Sequence, residues 1–255
     1  MRFISEIQKD LDALERPQPR WAAALGGPAA VEAERQRIRE WEDANPEKVR
    51  RFADLLSEYR DAEAQLRVLE EARQLERRVL AGLEKSGAGE RALSAAASPA
   101  QSEALDAARK WLNALPVDGE HTTWLVLLGG TGTGKTVAAT WALREAVRQG
   151  RSAYFRTASR LARLSGFNEG AVELEMLIGC GLLVLDDVGA EAQTAWGSGL
   201  LQELLDARHQ ASARTVITSN LSADDFKTRI GERMTDRIRE DGMVVRLGGK
   251  SMRRA

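Results

Sequence analysis

The chain has 255 residues, 43% hydrophobic and 29% charged, with a formal net charge of −1. That balance supplies a sizeable core and excludes a partner chosen by bulk charge alone. One cysteine, Cys180, excludes an internal disulfide and a thiolate zinc site, and no apolar run reaches the roughly 18–20 residues that cross a bilayer.

The N-terminal segment lacks the apolar core of a secretion leader, so a cytoplasmic location is expected. Residues 1–16 place Phe3, Ile7, Leu11 and Leu14 on one helical face. Pro17, Pro19, Gly26, Gly27 and Pro28 break that pattern. A second helix is expected from about Ala29 to Ala44. Asn45-Pro46 then reads as an N-cap followed by the first residue of a new helix, continuing to about Lys85. Its apolar positions are Val49, Phe52, Leu56, Tyr59, Leu66, Leu69, Leu80 and Leu83. Charges interrupt this stripe between Leu69 and Val79, which argues against a sustained coiled coil and for a long helix or hairpin that docks on a partner. The first 90 residues hold 16 basic and 19 acidic side chains and no catalytic constellation. A helical interaction region over 1–85 is therefore expected. Residues 86–99, SGAGERALSAAASP, are small and read as a flexible linker to a second domain over 100–255.

In that second region helical and apolar strand patterns alternate. A helix over 101–115 precedes the apolar run 124–128. Strand signals recur at 153–155, 182–185, 215–218 and 243–247, with helical segments at 137–148, 158–164, 169–178, 198–210 and 223–239. Such alternation predicts a parallel sheet covered by helices on both faces, an α/β fold.

Three stretches carry chemistry. Residues 129–136, GGTGTGKT, follow a strand and open a helix. Gly129, Gly130, Thr131, Gly132, Thr133 and Gly134 would wrap backbone N–H groups around phosphates. Lys135 would reach the β- and γ-phosphates of a nucleotide, and the Thr136 hydroxyl would ligate Mg²⁺. The second stretch, LLVLDDVG over 182–189, is a buried strand ending in two carboxylates. Asp186 fits the metal site, and Asp187 the base that activates a water, although it is one methylene shorter than a glutamate. The third, TVITSN over 215–220, ends in Asn220, whose amide would reach a γ-phosphate or the attacking water. From Lys227 to Ala255, nine Lys/Arg stand against four acids, a basic end suited to phosphates. Cys180, beside an apolar run, reads as a buried structural thiol. His121 and His209 are isolated and read as structural or surface residues.

The succession GGTGTGKT, LLVLDDVG, VITSNLS, RIGERMTDRI and GKSMR resembles the AAA+ ATPases of the DnaC-type helicase loaders, within a DnaC/IstB-like family, over about residues 100–255. The resemblance implies a P-loop AAA+ core without a helical lid, ATP with Mg²⁺, and hydrolysis stimulated by assembly. It implies that Arg233 is an arginine finger inserted into a neighbouring subunit's site, with Arg237 one turn later on the same face. Arg253 would sense nucleotide within the subunit, although Met252 stands where the family carries tyrosine. Residues 154–167 fall where loaders touch single-stranded DNA. Arg156, Arg160 and Arg163 with Tyr154 and Phe155 suit a single strand with stacked bases. The implied function is loading of a DnaB-like replicative helicase, held by the N-terminal helices, onto single-stranded DNA. Alternatives are an IstB-like helper of a DNA transposase, a nucleoside-kinase-type phosphotransferase, and a nucleotide-holding switch with little hydrolysis.

Overall fold

A computed structural model describes residues 2–17, 28–114, 123–164, 169–191 and 195–248. The elements in chain order are α1 (Ile4–Ala13), α2 (Pro28–Ala44), α3 (Pro46–Ser86), α4 (Glu90–Ala97), α5 (Glu103–Asn113) and β1 (Trp124–Gly129). There follow α6 (Lys135–Arg148), β2 (Ala153–Thr157), α7 (Ala158–Leu161), α8 (Glu169–Gly179) and β3 (Leu182–Asp186). The last are α9 (Ala195–Gln210), β4 (Arg214–Ser219), α10 (Ala223–Ile230), α11 (Glu232–Asp241) and β5 (Gly242–Leu247). The chain divides into two compact units, Met1–Leu75 and Glu76–Ala255.

In the first unit, Ile7 and Leu11 of α1 pack with Leu55 of α3, flanked by Leu14, Phe52, Leu56 and Tyr59. These are the apolar positions that the helical periodicity selects. Arg16 pairs with Glu42 and lies 4.6 Å from the Phe52 ring centroid, tying the end of α1 to both α2 and α3. Asn45 separates α2 from α3, and its amide donates to the Trp41 carbonyl at 2.8 Å. Farther along α3, Leu66, Val68, Leu69 and Leu75 are 43%, 65%, 55% and 40% exposed.

The second unit holds a five-stranded sheet of order β2-β3-β4-β1-β5, every pair parallel. Parallel strands need crossovers, and the helices supplying them cover both faces. Alternation along β1 shows this directly. Leu125 and Leu127 point into one cluster with Leu105, Ala108 and Trp111 of α5 and Ala138, Ala142 and Leu143 of α6. Trp124, Val126 and Leu128 point into another with Leu201, Leu204, Phe226, Ile230, Met234 and Ile238. Burial on both faces is why β1 and β3 read as continuous apolar runs. The three-layer α/β architecture of the sequence reading stands.

Three expectations are corrected. Residues 86–99 do not form a featureless linker. They hold α4, whose Ala96 is 1% exposed and whose Leu93 packs on the α5–α6 cluster. The alanines that read as flexible are small contact residues, letting α4 lie against α6. The unit boundary falls at 75/76 rather than 85/86, because Val79 and Leu83 of α3 join that same cluster. The helix expected over 223–239 is broken at Gly231, whose φ of 84° suits glycine.

Arg208 is a buried cation that the sequence did not single out. It is 0% exposed at the end of α9 and donates to the carbonyls of Leu177, Ile178, Cys180 and Arg214 and to Thr215 Oγ1 at 2.9 Å. It therefore ties α8, the entry to β3 and the entry to β4 together. Burial lowers the pKa of its guanidinium. Burial also pushes the Cys180 thiol up, opposed by the Arg208 charge, so Cys180 is the structural thiol expected. Arg208→Met strands these carbonyls without donors and should cost about 3 kcal/mol. Thermal unfolding should show it as a midpoint roughly 6–12 °C lower. His209, the neighbouring residue, lies 3.8 Å from Asp241, a partly exposed structural contact. His121 lies outside the described residues.

Candidate functional site

β1 delivers the chain at Gly129 to a loop that turns into α6. Gly134 makes the turn with φ 86°, a left-handed conformation at the helix N-cap. The first N–H groups of α6 have no intrahelical acceptors, and with the helix dipole they make an anion-binding end. This end opens into a cavity of about 570 Å³, walled by Thr131–Ala138 together with Asp187 and Asn220. A second part of the wall comes from Ala95, Ser98, Ala100, Ser102 and Leu105. That part is mostly small and apolar, and it belongs to the α4–α5 segment. A phosphate-binding floor with such a wall suits a nucleoside phosphate.

Lys135 is 5% exposed, and its ammonium is a donor in the site. It donates to the carbonyls of Gly129 and Gly130 at 2.7 Å each and to Asn220 Oδ1 at 2.9 Å. The Asn220 amide in turn donates from Nδ2 to Asp187 Oδ1 at 3.2 Å. One amide thus connects the phosphate-loop cation with the second carboxylate, using its oxygen toward one and its nitrogen toward the other. Asp187 has φ 56°, a left-handed conformation that Asp tolerates better than most residues and that turns it out of the strand line.

Asp186 is 4% exposed. Its Oδ1 accepts from Thr136 Oγ1 at 3.0 Å and from Thr218 Oγ1 at 2.6 Å. Burial raises its pKa; the Thr218 hydroxyl opposes that, the Asp187 charge adds to it, and Thr136 and Lys135 oppose it. A serviceable magnesium site needs hard oxygen donors beside a phosphate floor. The Thr136 hydroxyl and the Asp186 carboxylate meet that requirement and are already in contact.

Thr218 is a functional residue the sequence reading missed. Its hydroxyl donates to the Asp186 carboxylate and accepts from the Asp187 backbone N–H at 3.0 Å, so one side chain orients the first carboxylate and anchors the backbone of the second. In sequence it is a β-branched residue in a strand, indistinguishable from packing. Its position two residues before Asn220 was the available signal. Thr218→Val keeps the shape and removes the hydroxyl. The fold should persist, while the magnesium concentration for half-maximal support of nucleotide binding should rise about 10–100-fold. A magnesium titration of fluorescent-nucleotide binding checks this.

The remaining candidate residues are spread differently. Arg233 is exposed in the first turn of α11 and lines a small hollow with Gln202, Leu205 and Asp206, not the phosphate cavity. Arg237, on the same helix, pairs with Asp206 of α9. Lys227, Arg229 and Arg239 are also paired, with Glu232, Glu191 and Asp236, so much of the basic C-terminal stretch is locally neutralised. Arg253 lies outside the described residues, as do residues 165–168.

The cation–aromatic strip expected over 154–167 is not a continuous surface. Phe155 is buried in the α5–α6 cluster. Arg156 is 6% exposed, pairs with Glu173 and donates to the Ser86 carbonyl at 3.0 Å. Both sit on β2, where the strand alternation and the adjoining α3 end cover them. Arg160 and Arg163 are exposed.

Residues 106–255 match the family described as IstB-like ATP binding protein. The replicative helicase loader DnaC of Escherichia coli (strain K12) is 26% identical over 146 residues, covering 54% of this chain and 58% of that protein. The replicative helicase loader DnaC of Buchnera aphidicola subsp. Acyrthosiphon pisum (strain APS) is 25% identical over 127 residues, covering 47% and 52%. The chain thus spans little more than half the length of these curated relatives. A crystal structure of the DnaC helicase loader superposes with a TM-score of 0.53 at 24% identity, covering 62% of this chain and 99% of that one. A crystal structure of DnaI gives 0.53 at 19%, covering 66% and 95%. These two likenesses show a shared fold.

Proposed function

Because the chain belongs to the IstB-like ATP binding protein family, we propose that it is an ATP-hydrolysing loader that delivers a DnaB-like replicative helicase to single-stranded DNA. The observation that carries this reading is the division of the chemistry. Lys135, Asp187 and Asn220 share one cavity, while Arg233 stands exposed outside it. A site built that way holds nucleotide alone and completes itself when a second subunit brings its arginine.

In this reading the phosphate loop and Lys135 bind the triphosphate, and Ala95, Ser98 and Leu105 face its nucleoside end. Thr136 and Asp186 would hold a Mg²⁺ ion, which would supply neutralisation of phosphate charge. Asp187 orients and deprotonates the attacking water. Asn220 holds Lys135 and Asp187 in register. Arg233 of a neighbouring subunit stabilises the charge that spreads over the transferring phosphoryl oxygens. If Arg253 senses nucleotide, it does so from the segment after β5. Arg160 and Arg163 are the exposed cations available to a single-stranded backbone.

The N-terminal helices grip the helicase. Leu66, Val68, Leu69 and Leu75 support this, since α3 leaves them exposed among charged neighbours. No described helix is long and apolar enough to cross a membrane.

The family description favours one second reading, an IstB-like helper of a DNA transposase. The Gly231-Glu232-Arg233 element, which opens α11 and exposes the arginine, favours the loader. A pull-down with the full chain from its native host, with the captured proteins identified by mass spectrometry, separates the two. A replicative helicase is the expected capture; a transposase without helicase would replace the loader reading by the helper reading.

A further inference from the structure

The turn after β3 connects the two carboxylates to a buried ion pair that the proposed chemistry does not use. Ala190 N–H donates to the Asp187 carbonyl at 3.1 Å, and Val188 N–H to the Thr218 carbonyl at 2.9 Å, fixing the turn on β4. Gly189 N–H donates to Glu191 Oε2 at 2.8 Å. The other oxygen, Glu191 Oε1, accepts from Arg229 Nε at 2.7 Å and from Arg229 Nη2. Arg229 Nη1 reaches Ser198 Oγ on α9 at 3.3 Å. The two side chains are 2% and 8% exposed.

Arg229 is the next-to-last residue of α10. Gly231 then breaks the chain with φ 84° and caps both helices, and Arg233 is the second residue of α11. Only three residues separate the buried Arg229 from the exposed Arg233. Gly231 turns the chain between the two helices, Met234 and Ile238 seat α11 on the core, and the contact just before the turn fixes where it begins. A forked guanidinium held by a carboxylate supplies direction as well as attraction. Stability alone does not call for such a pair, since well-packed apolar residues usually replace buried ion pairs without loss. Elsewhere on these helices, Lys227–Glu232 and Arg239–Asp236 are surface pairs and fix little, while Arg237–Asp206 holds the later turns of α11 on α9.

We propose that Glu191 and Arg229 are positioning residues. They register Arg233 against the Asp186–Asp187 turn, so that the arginine a subunit supplies to its neighbour is placed by its own hydrolysis turn. The inference rests on the reading of Arg233 as a finger acting in trans.

Mixed assemblies test it. Lys135→Ala subunits supply only the finger, and Arg233→Ala subunits supply only the ATP site, so turnover in the mixture comes from the interface that combines them. Glu191→Gln added to the finger donor should lower that turnover about 10–100-fold, the penalty of a small misplacement of a catalytic group. The same change in the ATP-site subunit should leave turnover within about twofold, because the finger then comes from an unaltered donor. Thermal midpoint and fluorescent-nucleotide affinity of Glu191→Gln establish that fold and binding are retained. A second donor, Glu191→Leu with Arg229→Met, replaces the pair by apolar contacts and should show the same loss. No loss from the donor, full activity of the doubly apolar donor, or equal loss from both sides would overturn the proposal. If the unmodified mixture is itself inactive, the finger reading fails and this inference falls with it.

Discussion

Lys135→Ala is expected to abolish ATP binding at micromolar nucleotide. The ammonium is the one cation lining the phosphate cavity among the described residues, and it sits at the N-terminus of α6, where the backbone already favours anions. Charge-assisted hydrogen bonds contribute about 1.5–3 kcal/mol each. Losing those to two phosphate groups predicts an affinity roughly 100-fold lower or worse. Fluorescent-nucleotide titration measures it directly. The substitution also removes the donor that ties the Gly129 and Gly130 carbonyls to Asn220. A circular-dichroism melt is therefore the companion measurement, and the domain should stay folded because the sheet and both apolar clusters are untouched. Ordinary nucleotide affinity in the variant would remove the phosphate-loop assignment and everything built on it.

The second large effect concerns Arg233. Arg233→Ala should bind ATP as tightly as the parent chain, since its side chain lines no part of the nucleotide cavity. Its stability should change by less than about 0.5 kcal/mol, as for an exposed helix position. Assembly-stimulated hydrolysis should fall about 10³–10⁵-fold, the range removed with an arginine finger. Arg233→Lys should recover little, because a point charge cannot contact two phosphoryl oxygens in the planar fork. Turnover measured with helicase and single-stranded DNA present is the readout. Unchanged turnover in Arg233→Ala would refute a finger in trans. Arg237 offers a contrast: its ion pair with Asp206 holds α11 on α9, so Arg237→Ala should lower the melting temperature as well as turnover.

Much of the site was legible because its signals are local. A glycine loop between a buried strand and a helix can be read from spacing, and so can a strand that ends in carboxylates. The same locality explains the errors. Residues 86–99 are rich in Ala, Ser and Gly, a composition shared by flexible linkers and by helices that pack closely. Only the neighbouring face of α6 separates these cases, and it is distant in sequence. Arg156 and Phe155 read as a nucleic-acid strip because the strand direction was known but the cover over β2 was not. Thr218 hid among strand residues because its role depends on which strand lies beside β4.

The amino-acid sequence by itself therefore determined the phosphate loop, the carboxylate strand, the alternating parallel α/β pattern and the helical N-terminal region. Each follows from residues a few positions apart, where backbone geometry and hydrophobic period leave few options. The tertiary structure decided the rest. It set β3 beside β4, so that Thr218 orients Asp186 and anchors the Asp187 backbone, and it brought Asn220 between Lys135 and Asp187. It also buried Arg208 and Arg229 while leaving Arg233 exposed. An arginine carries the same charge in every context. Whether it ties a core together, positions a helix or reaches a neighbour's phosphate depends on the carbonyls, carboxylates or solvent that the fold places around it.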